Sequence, residues 1–449
     1  MVSFTDEFVD IIYDLYKQPL SSELDGVCRQ RFLDYVAVAI SGSTLIKERI
    51  ENYPGLFCQH QPQLTPVLGL NKYAAAETAA LLNGMSAHVA ELDDGERFGM
   101  VHPGAPVISA LISALYQYKL STEQFLKGIF IGYEATIRMA RLLQPELKDN
   151  GYHATGPCGC VGAAMGVAAA RDFSKSQMKD AFCAATTSAS GILKVIRENS
   201  ELKPYNAGQA ALNGLTAAII ASLQFNGPGD VLEGDQGFIK MITGKEQLKS
   251  IDGADVQLIK RAYTKPYAAC RHCHAPIEAS IALREKHSVD SESVTAIRVI
   301  THRFAAFKHD HTNIENDYSA KMSIPFSVAV ALYVGRASVY EFTHKYISDK
   351  EVQRLTKLVK VEVDDELTNL VPEKRVAIVE LTFQSGEKVS YQVDLPLGEP
   401  ENPIDKSMLE AKSLELLKYS GIEEQAALGL VEHLLQGHDF TAVLDNLVH

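Results

Sequence analysis

No uninterrupted apolar run of about 18 residues occurs in this chain, so no membrane-spanning helix is expected. Lysine and arginine form no blocks and the formal net charge is −13, which argues against nucleic acid as a partner. Seven cysteines without paired, regular spacing do not outline a disulfide framework and fit a reducing cytoplasm. The first residues, Met1-Val-Ser-Phe-Thr-Asp-Glu-Phe, are acidic where a secretory leader is basic and then apolar. A Gly-x-Gly-x-x-Gly turn after a strand, a Walker sequence and a Gly-x-Ser-x-Gly elbow are all missing, so nucleotide chemistry and serine hydrolysis have no support. There is no internal repeat and no low-complexity tract. What remains is an acidic chain of 449 residues, 46% hydrophobic, long enough for two domains. If such a chain binds an anion, it must gather its positive groups inside the site.

The periodicity divides the chain. Up to about residue 260 apolar residues recur near every 3.6 positions, as in Phe8–Tyr16 and in Cys28–Ile40, which ends before Ser41-Gly-Ser. Ala74–His88, Val107–Tyr118, Phe125–Leu143, Gly159–Ala170 and Gly208–Leu223 follow in the same style, several of them built from small residues. After Tyr263 the texture changes to β-branched alternation at Ser293–His302, Val359–Val363 and Val376–Phe383. A glycine turn at Gln384–Lys388 joins the last of these to Val389–Leu395 as a hairpin. Helices at Pro276–His287 and Pro325–Tyr333 are interleaved, and helical periodicity returns after a proline-rich linker at 396–403. The expected fold is mostly α with an α+β lid: residues 1–262 and 397–449 form a helical domain, and 263–396 form the lid. Helices apolar on more than one face point to a homodimer.

Four segments concentrate chemistry. Lys265-Pro-Tyr-Ala-Ala-Cys-Arg-His-Cys-His274 packs cations, Tyr267, Arg271, His272 and His274 into ten residues. Cys270, His272, Cys273 and His274 also invite a zinc reading, but no second ligand couple follows at the usual spacing. A solvated polar loop capping a helix is the plainer alternative. The second segment ends a helix in Glu91, Asp93 and Asp94 and leads to His102 before another helix. Clustered carboxylates raise one another's pKa and can hold a proton near neutrality, although an acidic surface turn reads the same way. The third, Gly151-Tyr-His-Ala-Thr-Gly156, flanks Tyr152 and His153 with glycines, and the fourth sets Lys203 before a small-residue helix, ready to face an anion.

Taken in order, these segments resemble the MmgE/PrpD family, with the Leu33-Asp-Tyr-Val-Ala-Val-Ala-Ile-Ser-Gly42 and Leu82-Asn-Gly-Met-Ser-Ala-His88 runs also similar. The resemblance covers nearly the whole chain. It implies a large helical domain with a smaller α+β lid, a homodimer, no metal or organic cofactor, and a di- or tricarboxylate received in a cleft between the domains. By the same resemblance the acidic turn, His102, His153, Lys203 and Lys265 form the site. Glu91 and Gly95 depart from the decarboxylase-like pattern of the family, which has Asp and Thr there.

The family's reactions share proton transfer at a carbon beside a carboxylate. Lys203, Lys265 and Arg271 are the cations expected to absorb the developing charge. His102 or His153 is the expected base in its neutral form, with the other histidine or Asp93/Asp94 as acid. Glu91, Tyr152, Tyr267, Arg271, His272 and His274 are expected to bind substrate, with no metal among the ligands. A dehydratase-like lyase fits first, then an iminodisuccinate-type epimerase, a cis-aconitate-type decarboxylase, or a carboxylate-binding protein without catalysis. Removing Lys203 or Lys265 is expected to weaken binding with little loss of stability.

Overall fold

The computed structural model describes residues 3–58, 64–196, 200–246 and 250–447. Its residues fall into two compact units. The first takes Met1–Ile196, Leu202–Tyr263 and Asp405–His449; the second is built chiefly of Thr264–Ile404. The return to the helical unit thus comes at Asp405, later than the expected 397. No described helix is long and apolar enough to cross a membrane.

The first unit is a stack of helices closed by both chain ends. Helices Lys406–Tyr419 and Glu424–Gln436 pack on Ser22–Glu51. Phe440 meets Phe32 and Phe125 at ring-centroid distances of 4.9 and 5.5 Å, and Lys412 binds Asp34 at 2.6 Å. Ser22–Glu51 does not stop before Ser41-Gly-Ser as the sequence suggested. The hydroxyls of Ser41, Ser43 and Thr44 donate back to the carbonyls of Val38, Ile40 and Ser41 at 3.1, 2.7 and 2.7 Å. Their polar groups are spent inside the helix and leave it unbroken.

At the centre, helix Thr155–Ala170 packs against both Thr122–Leu143 and Lys203–Ser222. Small residues allow this. A Cβ on Gly162 would sit 2.6 Å from the Gly132 carbonyl oxygen and 1.7 Å from the Thr136 hydroxyl. The reading of residues up to 260 as helices missed one hairpin, Thr65–Val67 with Lys72–Ala74.

The second unit holds a four-stranded sheet in the order Val359–Val363, Val294–Thr301, Ala377–Phe383, Lys388–Val393. The first pair is parallel and the other two antiparallel. Along Ala377–Phe383 burial alternates, as a half-buried strand requires, and helix His274–His287 packs on this strand and its hairpin partner. Helix Ile324–Val334 packs beside it, so the fold is mostly α with a smaller α+β part.

Candidate active site

In the first unit the expected residues of three segments come together. Helix Ala76–Val89 carries His88 in its last turn, and Glu91 then adopts a left-handed backbone with φ 56°. The reversal turns Glu91 inward, where its buried carboxylate pairs with the ammonium of Lys203, the first residue of helix Lys203–Ser222. The chain continues through Asp93 and Asp94 to Gly95, which pairs with Tyr263. A Cβ on Gly95 would lie 2.3 Å from the Tyr263 hydroxyl, so only glycine lets that ring cover the turn.

The ring tautomers follow from the partners. His102 Nδ1 lies 2.6 Å from the Asp94 carbonyl oxygen, which can only accept, so Nδ1 carries the hydrogen. In the neutral ring the lone pair is therefore on Nε2. Asp93 Oδ2 stands 3.4 Å from the same Nδ1 and 2.6 Å from His88 Nδ1, so one carboxylate serves two histidines. His153 is set the other way round. Asn206 Nδ2 approaches the Ile192 carbonyl at 3.4 Å and His153 Nδ1 at 3.2 Å, so this amide nitrogen donates to both. His153 then carries its hydrogen on Nε2. Burial, and after it the electrostatic influence of His88, Lys203 and His102, hold His153 well below its ordinary pKa, so the ring is neutral.

Asp94 is deeply committed. Its carboxylate accepts from Tyr133 at 2.8 Å and from the Gly104 N–H at the start of helix Gly104–Tyr118 at 3.1 Å, with Arg31 at 3.9 Å. Burial pushes it up to about 6. The cavity beside it, lined by Arg31, Asp34, Asp93 and Tyr133, measures about 10 Å³, room for at most one water. Asp94 thus positions His102 through its carbonyl and meets the start of a helix through its carboxylate. A larger cavity of about 670 Å³, lined by Tyr16, Lys17, Ser121, Lys127 and Asp172, contains none of the expected site residues.

Tyr152 is half-buried and bridges Ile192 through its backbone. His88, Asn206, Arg31, Tyr133 and Tyr263 received no role from the sequence. Only His88 left a signal, closing the run that leads into the acidic turn. His88, Asp93 and His102 each bring a ligand atom within 4.8 Å of the others, the one such group among the described residues. The His88 Nδ1 hydrogen bond to Asp93 and the 3.4 Å approach of His102 Nδ1 to the same carboxylate accompany that closeness.

The second unit holds the other segment, where Arg271 and His274, both expected to bind substrate, have local partners. Arg271 uses all five guanidinium donors locally. They reach Glu399 at 3.0 and 2.8 Å, the carbonyls of Leu397 and Pro396 at 3.2 and 3.3 Å, and His274 Nδ1 at 2.9 Å. Arg271 clamps the 396–399 loop. His274 is fully buried, accepts from Arg271 and donates Nε2–H to the Ala269 carbonyl at 3.1 Å. Tyr267 lies half-buried against the His274 ring at 5.3 Å, and burial, then Glu278, raises its pKa. His272 sits among other rings, 5.3 Å from both His302 and His309. Lys265 is fully buried.

A mostly helical unit with an acidic turn, opposed histidine tautomers and a buried lysine, joined to a smaller α+β unit, matches a family of carboxylate-acting lyases. The chain belongs to the MmgE/PrpD family: the family's N-terminal domain matches residues 6–251 and its C-terminal domain residues 267–436. Among its relatives is the cis-aconitate decarboxylase of Mus musculus, 24% identical over 375 residues, 80% of this chain and 76% of the mouse protein. That of Homo sapiens is 25% identical over 426 residues, 91% of this chain and 87% of the human protein. That of Aspergillus terreus is 23% identical over 406 residues, covering 84% and 81%.

Proposed function

We propose that this protein is a lyase of the dehydratase type acting on a small di- or tricarboxylate, with proton transfer at a carbon beside a carboxylate. The observation that carries the reading is the pair of opposite tautomers. His102 offers an unprotonated Nε2 as base, and His153 offers a neutral Nε2–H as hydrogen-bond donor. His102 takes the proton from the carbon. His153 Nε2–H and the Lys203 ammonium then face the charge that spreads onto the carboxylate, in surroundings where charge interactions exceed those in water. Asp93 stabilises the imidazolium formed on His102, as its 3.4 Å approach allows. Glu91 keeps Lys203 oriented and balances its charge between turnovers.

Decarboxylation is the second reading, favoured by the names of the relatives. In dehydration the neighbouring carbon loses hydroxide, which departs as water with the proton that His102 took. In decarboxylation a carboxylate departs as carbon dioxide and the carbanion takes a proton from a protonated His102, so the cations are shared while the proton moves the other way. Incubation of small di- and tricarboxylates in deuterium oxide, followed by proton NMR, separates them. A new alkene without carbon dioxide supports the dehydratase, carbon dioxide release the decarboxylase, and deuterium uptake with inversion an epimerase. A full screen of this kind with no exchange at any carbon refutes acid–base catalysis altogether.

A further inference from the structure

The segment that first suggested zinc contains Cys270-Arg-His-Cys273, and its geometry points to another chemistry. Cys270 is the N-cap of a short 3₁₀ turn, Arg271–Cys273, that runs straight into helix His274–His287. The Cys273 N–H donates to the Cys270 carbonyl at 2.8 Å. A hydrogen-bonded turn of four residues keeps its end Cα atoms within about 7 Å. A disulfide spans Cα atoms about 4.4–6.8 Å apart. The Lys321 carbonyl holds both ends, accepting the Cys270 N–H at 2.9 Å and lying 4.0 Å from Cys273 Sγ. Cys270 is half-buried and Cys273 fully buried, and both stand as thiols.

A base stands beside the more accessible sulfur. His309 Nδ1 lies 2.7 Å from the Met322 carbonyl, so it carries the hydrogen, and the lone pair is on Nε2. That Nε2 is 3.9 Å from Cys270 Sγ. Thiol, base and an orienting carbonyl form an ordered series, the arrangement that activates a nucleophilic cysteine. Buried cysteines such as Cys158 and Cys160 have no such base among the described contacts, and burial pushes both thiols up.

We propose that Cys270 and Cys273 form a reversible dithiol–disulfide site oxidised by hydroperoxides. Cys270 gives its S–H proton to His309 Nε2, and the thiolate attacks the terminal hydroxyl oxygen of the peroxide. The O–O bond breaks, Cys270 becomes a sulfenic acid, and the departing alkoxide or hydroxide leaves as alcohol or water with the His309 proton. Cys273 sulfur then attacks Cys270 sulfur; the S–S bond forms, the S–O bond breaks, and water leaves with the Cys273 proton. A dithiol reductant restores both thiols. Because the same turn carries Arg271, which clamps the 396–399 loop, the bridge adds a covalent tie where hydrogen bonds already hold the chain.

The test uses the full chain, substoichiometric hydrogen peroxide, a maleimide quench and peptide mass spectrometry, with exposed Cys58 as internal reference. The peptide carrying Cys270 and Cys273 is expected to lose two hydrogens faster than Cys58 reacts, and dithiothreitol to restore it. In Cys273→Ser the reaction stops at a Cys270 sulfenic acid captured by dimedone. His309→Gln slows it about tenfold, a modest value for removal of a general base. Oxidation of Cys270 no faster than Cys58 in the wild-type chain overturns the proposal, as does a sulfinic product without a disulfide. These readings require no substrate, so they stand apart from the fate of the proposed lyase activity.

Discussion

At the residue scale, opposite tautomers assign opposite roles to two histidines that look alike in sequence. His102→Asn keeps a hydrogen-bonding shape but loses the base, and a fall of about 10²–10⁴-fold in solvent deuterium exchange is expected. His153→Asn keeps a donor and is expected to lose less, chiefly in turnover; equal losses in the two variants would reverse the assignment. Lys203 needs a different forecast from the one its sequence suggested. It is buried against Glu91, so Lys203→Ala strands a carboxylate and is expected to cost about 3–5 kcal/mol of stability. Urea unfolding of Lys203→Ala beside Lys203→Met/Glu91→Gln checks this, with stability recovered in the double variant if the stranded charge is the cause. Asp94 supplies a pH signature. Its carboxyl titrates near 6 in the fold and near its usual 3.8 when unfolded, so between those values the folded state holds the extra proton. This group's contribution to stability is greatest below pH 4, falls as pH rises to about 6, and is flat above. Asp94→Asn should remove that slope from the profile of thermal stability against pH. These burials are not visible in sequence, since the Lys203–Glu91 and Asp94–Tyr133 pairs join residues far apart in the chain and the nearer His102–Asp94 bond depends on the course of the loop between them. The sequence does single out the segments proposed here to carry the chemistry, because short runs mixing His, Lys and Asp with glycine are hard to explain by packing.

At the element scale, local pattern and long-range pairing separate cleanly. β-branched alternation marks the four strands of the second unit to within one or two residues, most clearly along Ala377–Phe383, where buried and half-buried residues alternate. The order of those strands, with Val294–Thr301 parallel to Val359–Val363, depends on contacts between distant segments that no local pattern encodes. The Thr65–Ala74 hairpin escaped notice because its strands, Thr65–Val67 and Lys72–Ala74, are too short to establish a period. Small-residue helices were legible as buried, but which glycines make the contact was not. Gly162→Ala provides the test. Its new methyl would meet the Gly132 carbonyl, which is backbone and cannot rotate away, so the helices must separate. A loss of about 1–3 kcal/mol is expected in the urea unfolding free energy, and truncating Thr136 should restore only part of it.

At the scale of the whole molecule, helix Lys203–Ser222 buries the residues that meet its neighbours yet leaves apolar ones bare. Tyr205, Ile220 and Leu223 are 45%, 36% and 61% exposed, and Leu202 and Phe225 just beyond its ends are 59% and 65% exposed. From Tyr205 the steps to Ile220 and Leu223 are near whole multiples of the helical turn, so these three lie along one stripe. Scattered exposed apolar residues are ordinary on a protein surface, and polar Gln209 and Thr216 divide this stripe; its far end, where Ile220, Leu223 and Phe225 follow closely in sequence, calls for a cover. A second copy of the chain presenting the same stripe covers it symmetrically and closes the assembly. We therefore expect a homodimer, and light scattering at micromolar concentration should give twice the chain mass. Leu223→Glu with Phe225→Glu places charges on that stripe at exposed positions, where the fold tolerates them. This variant should run as a folded monomer with an unchanged circular dichroism spectrum. A wild-type monomer removes the dimer, and a dimer that survives both charges moves its interface to another face.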